Sequence, residues 1–89
     1  MAAIFTAANK DTTPATHAGA GDTQIIVSGT FGLGASLTVE AGADSLTKAA
    51  IASFNKPGGK VISAKTGTTL TFTVHGGNTS NTSIDVSAL

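Results

Sequence analysis

The fold is decided by TQIIVSGTFGLGASLTVEAG, residues 23–42. Ile25, Val27 and Phe31 share one parity of its first half, with Gly29 between them, and Leu37, Val39 and Ala41 share one parity of its second half. Thr, Ser and Glu occupy most of the opposite positions. Side chains on a strand alternate between two faces, so this pattern predicts a hairpin with one buried and one wet or partner-facing side. The Gly-rich bend between the halves supplies the turn.

The same grammar runs to the end of the chain. Further strands are expected at residues 60–65, 69–75 and 82–89. Leu70, Phe72 and Val74 point inward from the clearest of these, and Thr69, Thr71, Thr73 and His75 point outward. Asn55-Lys56-Pro57-Gly58-Gly59 and Thr66-Gly67-Thr68 read as turns. Residues 46–54, LTKAAIASF, fit both a helical spacing and a strand, with Asp44 or Ser45 as a possible helix cap; strands on both sides favour a strand. Turn signals every eight to twelve residues or so are the pattern of an antiparallel sandwich. The expected fold is a small all-β antiparallel sandwich of about six strands over residues 22–89. Its core is expected to hold Ile25, Val27, Phe31, Leu37, Val39, Ile51, Phe54, Ile62, Leu70, Phe72, Val74, Ile84 and Val86.

Residues 1–21 lack a strand period beyond a short stretch near Ala3–Thr6 and read as an extended N-terminal arm. Ile4 and Phe5 are its only large apolar residues and are candidate anchors on a neighbour. In that reading, truncating the first thirteen residues weakens docking and leaves the sheet intact.

Composition narrows the function. The 89 residues hold five Lys, no Arg and five acidic residues, a charged fraction of 11% and a formal net charge of zero. That fraction is well below the roughly 25% of an average soluble domain, and it offers little resistance to close packing against other subunits. A hydrophobic content of 40% argues against disorder. With no Arg, Tyr or Trp and no basic stripe, nucleic-acid binding is not expected. Without Cys there is no disulfide framework or thiolate metal site. The N-terminal residues show no signal-peptide pattern. No run reaches the roughly 18 apolar residues of a membrane helix, so no membrane partner is expected. A core this small, with no cross-link, makes association an expected source of stability.

No catalytic constellation emerges, and no enzyme activity or cofactor is expected. His17 falls in the arm and His75 ends a strand, with no carboxylate pattern to draw them onto a metal. Asp11, Asp22, Glu40, Asp44 and Asp85 are scattered rather than paired across a cleft. Lys56-Pro57-Gly58-Gly59-Lys60 lacks the spacing of a phosphate loop. Asn78-Thr79-Ser80 and Asn81-Thr82-Ser83 match a glycosylation pattern and read as loop polarity without a secretory signal. The outward threonines Thr69, Thr71 and Thr73 form a ladder suited to a partner or to solvent.

Ser28-Gly29-Thr30-Phe31-Gly32, Leu37-Thr38-Val39-Glu40-Ala41 with Asp44, and the stretch Gly67-Thr68-Thr69-Leu70-Thr71-Phe72-Thr73-Val74-His75-Gly76 together resemble a pattern of small virion proteins of tailed bacteriophages. The resemblance spans Asp22 to Leu89. The chain departs from that pattern where Phe54 replaces a Trp and Thr71 an Arg. The resemblance implies a capsid decoration, or cement, protein on the capsid exterior that bridges major capsid subunits, itself a dimer or trimer. It further implies that Ile4, Phe5, Lys56, Pro57, Thr69, Thr71 and Thr73 contact partners. The alternative is a phage tail or fibre adhesion module, against which the missing Tyr and Trp weigh, since sugars stack on aromatic faces.

Overall fold

A computed structural model describes residues 2–44, 46–78 and 80–89. It is all-β, with no helix among the described residues. Eight strands follow in order: β1 Ala2–Ala8, β2 Ala15–Ala18, β3 Gly21–Thr30, β4 Ser36–Gly42, β5 Lys48–Phe54, β6 Gly58–Ala64, β7 Thr69–His75 and β8 Ser83–Ala88. They form two four-stranded antiparallel sheets, β1-β8-β3-β6 and β2-β7-β4-β5. The expected sandwich is therefore present.

The strand order has a simple origin. β1 pairs with β8, β2 with β7, β3 with β6 and β4 with β5. The chain is one long antiparallel ribbon doubled back between β4 and β5. Rolling that ribbon brings β3 beside β8 and β4 beside β7. This winding is the jelly roll, an eight-stranded double-sheet architecture.

Parity fills the space between the sheets. Ile25 and Val27 of β3, Ile62 of β6, and Ile84 and Val86 of β8 face Leu37 and Val39 of β4 and Leu70, Phe72 and Val74 of β7, and all are buried. Burying each such side chain contributes about 1.5–3 kcal/mol. Gly29 serves the close approach of β3 to β8: its φ is +100°, and a Cβ there would strike the Ser83 carbonyl.

Three expectations change. First, there are eight strands rather than about six, because the segment read as an arm forms β1 and β2. Phe5 is 6% exposed and lies in this chain's own core, with Ile4 half-buried against it. β1 hides its period because its pairing with β8 shifts register between Ala3 and Phe5 and again between Phe5 and Ala8. At the second irregularity Ala7 takes φ +52°, and its N–H donates to Asp85 Oδ1 at 2.8 Å. Second, Ile51 is exposed rather than core. Val39 pairs with Ala52 and Glu40 with Ala50, which leaves Ile51 as the extra residue of a bulge. Third, Phe31 and Phe54 are half-buried at the margin of the core. Residues 48–54 form a strand, and Asp44 caps a loop rather than a helix; Ser45 lies outside the described residues.

Candidate functional site

The residues singled out from sequence do not converge. Phe5 faces inward and Ile4 packs against the core. Lys56 and Pro57 are exposed in the β5–β6 turn. Thr71 is buried, with Thr69 and Thr73 half-buried, although all three sit on the outward parity of β7. Register explains this. Thr71 is flanked by Thr16 on β2 and Glu40 on β4, and Thr73 pairs with Thr38, so neighbouring side chains roof the ladder. The Thr71 Oγ1 has no hydrogen-bond partner among the described residues.

The histidines are separated. His17 pairs with Leu70 and His75 with Ser36, five residues apart along β7, or roughly 17 Å. Among the described residues no three His, Asp or Glu side chains gather as a metal site, and no pocket opens. Thr79 of the first glycosylation pattern lies outside the described residues.

Asp44 shows how one acidic residue shapes a loop. Its Oδ1 accepts the N–H groups of Leu46 at 2.8 Å and Thr47 at 2.7 Å. The Thr47 and then the Leu46 hydrogen bonds hold its carboxyl below the usual carboxylate range, with the Lys48 charge adding to them. Leu46, beside this cap, is almost fully exposed. At the other end of β4, Leu33 is also fully exposed. Ala35 N–H donates to the Gly32 carbonyl at 3.0 Å, closing a turn in which Gly34 has φ +80°. The Gly32 N–H donates to Thr82 Oγ1 at 3.1 Å and ties this turn to the β7–β8 loop.

The most extensive candidate surface lies on the outer face of the first sheet. Gln24 pairs with Val61 on one side and exchanges backbone hydrogen bonds with Leu89 on the other, so these three side chains form one outward row. The next row holds Gly59, Ile26, Ser87 and Ala3. Ile26 is 36% exposed, Val61 60% and Leu89 54%. Ile26 is diagonal to both others, at the 7–8 Å or so typical of such neighbours. The result is a contiguous uncharged apolar strip of the kind that marks interaction sites. The sequence carried a signal for it: Ile25-Ile26-Val27 and Val61-Ile62 place large apolar residues on both parities, and only one parity fills the core.

No family model, curated protein or solved structure matches this chain.

Proposed function

We propose that this chain is a structural protein of a tailed-bacteriophage virion, a capsid decoration protein on the capsid exterior that bridges and stabilises major capsid subunits. The observation that carries the reading is the outward strip of Ile26, Val61 and Leu89, on a face with no charged side chain in its two rows. A chain with so few charges and such a strip is suited to standing against another protein rather than to turnover. The resemblance of residues 22–89 to small virion proteins points the same way. The jelly-roll winding supports it by analogy alone, since that architecture recurs in viral capsid domains and also in lectins. Contacts through the outer face of the first sheet replace the arm contacts first assigned to Ile4 and Phe5. Lys56 and Pro57 stay available to a partner in their exposed turn.

Co-sedimentation with expanded, empty capsids tests the reading. Saturable binding that is lost on replacing Val61 with Asp supports it. Absence of binding, or binding of wild type and variant alike, overturns the assignment of this face. Preferential binding to isolated tails favours the fibre or tail alternative.

A further inference from the structure

The two sheets leave four edges, and three are blunted. β1 carries two register shifts, β2 is four residues long, and β5 is interrupted by the bulge at Ile51. Short strands and bulges are the usual devices that stop an edge from templating another strand. β6 has neither. Its seven residues pair with β3 in unbroken register from Gly21↔Ala64 to Val27↔Gly58.

The hydrogen-bond phase of β6 follows from its neighbour. The Gln24 N–H donates to the Leu89 carbonyl at 3.2 Å, and the Leu89 N–H donates to the Gln24 carbonyl at 2.9 Å. Gln24 therefore turns its backbone groups away from β6, and Thr23 and Ile25 turn theirs toward it. On β6, Lys60 and Ile62 face β3 in the pairs Ile25↔Lys60 and Thr23↔Ile62. The backbone groups of Gly59, Val61 and Ser63 are left pointing off the edge.

Charge decides what this edge accepts. Lys56 lies in the turn before the strand, Lys60 in its middle and Lys65 just after it, and all three are exposed. Three of the five lysines thus lie within or just beyond the ends of one edge strand about 23 Å long. A second copy pairing edge to edge would bring six lysines together, which edge lysines disfavour. A nucleic acid strand could use the lysines but would meet the outward carbonyls of Gly59, Val61 and Ser63 with its phosphates. An acidic polypeptide satisfies both the backbone row and the charges.

We propose that the free edge of β6 accepts an extended acidic segment of a partner protein as a fifth strand of the first sheet. Every second residue of that segment lies on the outer face beside Val61 and is apolar, which lengthens the strip formed with Ile26 and Leu89. The alternate residues face Lys60 and are acidic. This is strand addition, in which backbone bonds supply affinity and alternate side chains supply selectivity. The identity of the donor as a capsid subunit rests on the function proposed above; the edge chemistry does not.

The test uses the whole chain and two seven-residue peptides, one alternating glutamate with valine and one alternating lysine with valine. Amide hydrogen exchange and NMR shifts are followed residue by residue. The acidic peptide is expected to protect the Gly59, Val61 and Ser63 amides and leave those of Lys60 and Ile62 as they were; the basic peptide is expected to do nothing. Val61→Pro removes a donor the fold does not use, as proline at an outward edge position allows, and is expected to abolish the effect. Should that variant fold poorly, Lys56→Glu/Lys60→Glu/Lys65→Glu, all at exposed positions, serves instead. It is expected to weaken the acidic peptide roughly threefold or more, because the Lys60 pairing is lost and the charges at both ends of the strand turn from attractive to repulsive. The proposal is overturned by equal responses to both peptides, by no response to the acidic one, or by equal binding of an oligothymidylate. It is also overturned if those amides become protected with rising protein concentration alone, which makes a second copy the occupant. Because the peptides contain no capsid protein, failure here is separable from failure of capsid binding.

Discussion

Replacing Phe5 with Ala distinguishes a strand from an arm. Phe5 is 6% exposed and belongs to the same buried cluster as Ile84 and Val86 of β8. Truncating a buried Phe to Ala costs about 3–5 kcal/mol, and its place on an edge strand, where one side can relax, puts the loss near 3 kcal/mol. A domain of this length has a total stability of roughly 4–13 kcal/mol. The loss is therefore a large share of the whole. At about 4–8 °C per kcal/mol for a domain this small, the melting temperature should fall by roughly 12–24 °C. Thermal and urea unfolding followed by far-ultraviolet circular dichroism measure it, with Ile4→Ala, at a half-buried position, expected to lose less than half as much. If Phe5→Ala melts within about 2 °C of wild type, a shift of only a few tenths of a kcal/mol, Phe5 is not core and β1 is an arm after all. Removing residues 1–13 takes away β1 and uncovers β8, so the truncated chain should lose stability rather than docking alone.

Asp85→Ala removes the acceptor of the Ala7 N–H; because both residues are exposed and water can take its place, the cost in urea unfolding should be about 0.5–1 kcal/mol, with exchange at Ala7 accelerating most. Thr71→Val removes a buried hydroxyl that has no partner among the described residues; it should be neutral or stabilise by up to about 1 kcal/mol, and a loss above that would reveal a missing hydrogen bond. Gly29→Ala meets both a φ of +100° and the Ser83 carbonyl, so it should destabilise by about 2 kcal/mol or more and loosen the β3–β8 amides first. The Asp44 carboxyl is held below its ordinary value, so its folded pKa lies below the unfolded one. Its hold on Leu46 and Thr47 is therefore full above the unfolded value of about 4 and lost as pH falls through the lower folded value. Their amide resonances should shift only in that acid range, and Asp44→Asn should abolish the titration.

How much of this was legible in the sequence depends on whether period two survives. In β3, β4, β7 and β8 no register shift separates core positions in the pairings that join them, so alternation alone identifies Ile25, Val27, Leu37, Val39, Leu70, Phe72, Val74, Ile84 and Val86. In β1 the inward residues are Phe5 and Ala8, three apart, because a bulge intervenes. A period-two reading passes over such a strand. Ile51 fails for the same reason. Parity also reports the face a residue occupies and not the strand beside it, so the pairing of β1 with β8 and β2 with β7 is invisible until the ribbon is rolled. Alternation puts Thr69, Thr71 and Thr73 on the outward parity, yet their burial depends on Thr16, Glu40 and Thr38 from other strands. The open edge of β6 is a property of pairing and of bulges elsewhere, neither of which a single strand's sequence contains.

Quantitative peptide mass spectrometry of purified virions, ratioing this chain to the major capsid protein, bears most directly on the claim that it is a capsid-bound structural protein. A capsid-bound structural protein should be present at a fixed stoichiometry comparable with that of the capsid subunit. Its absence from mature particles, or a handful of copies confined to tails, would contradict that claim.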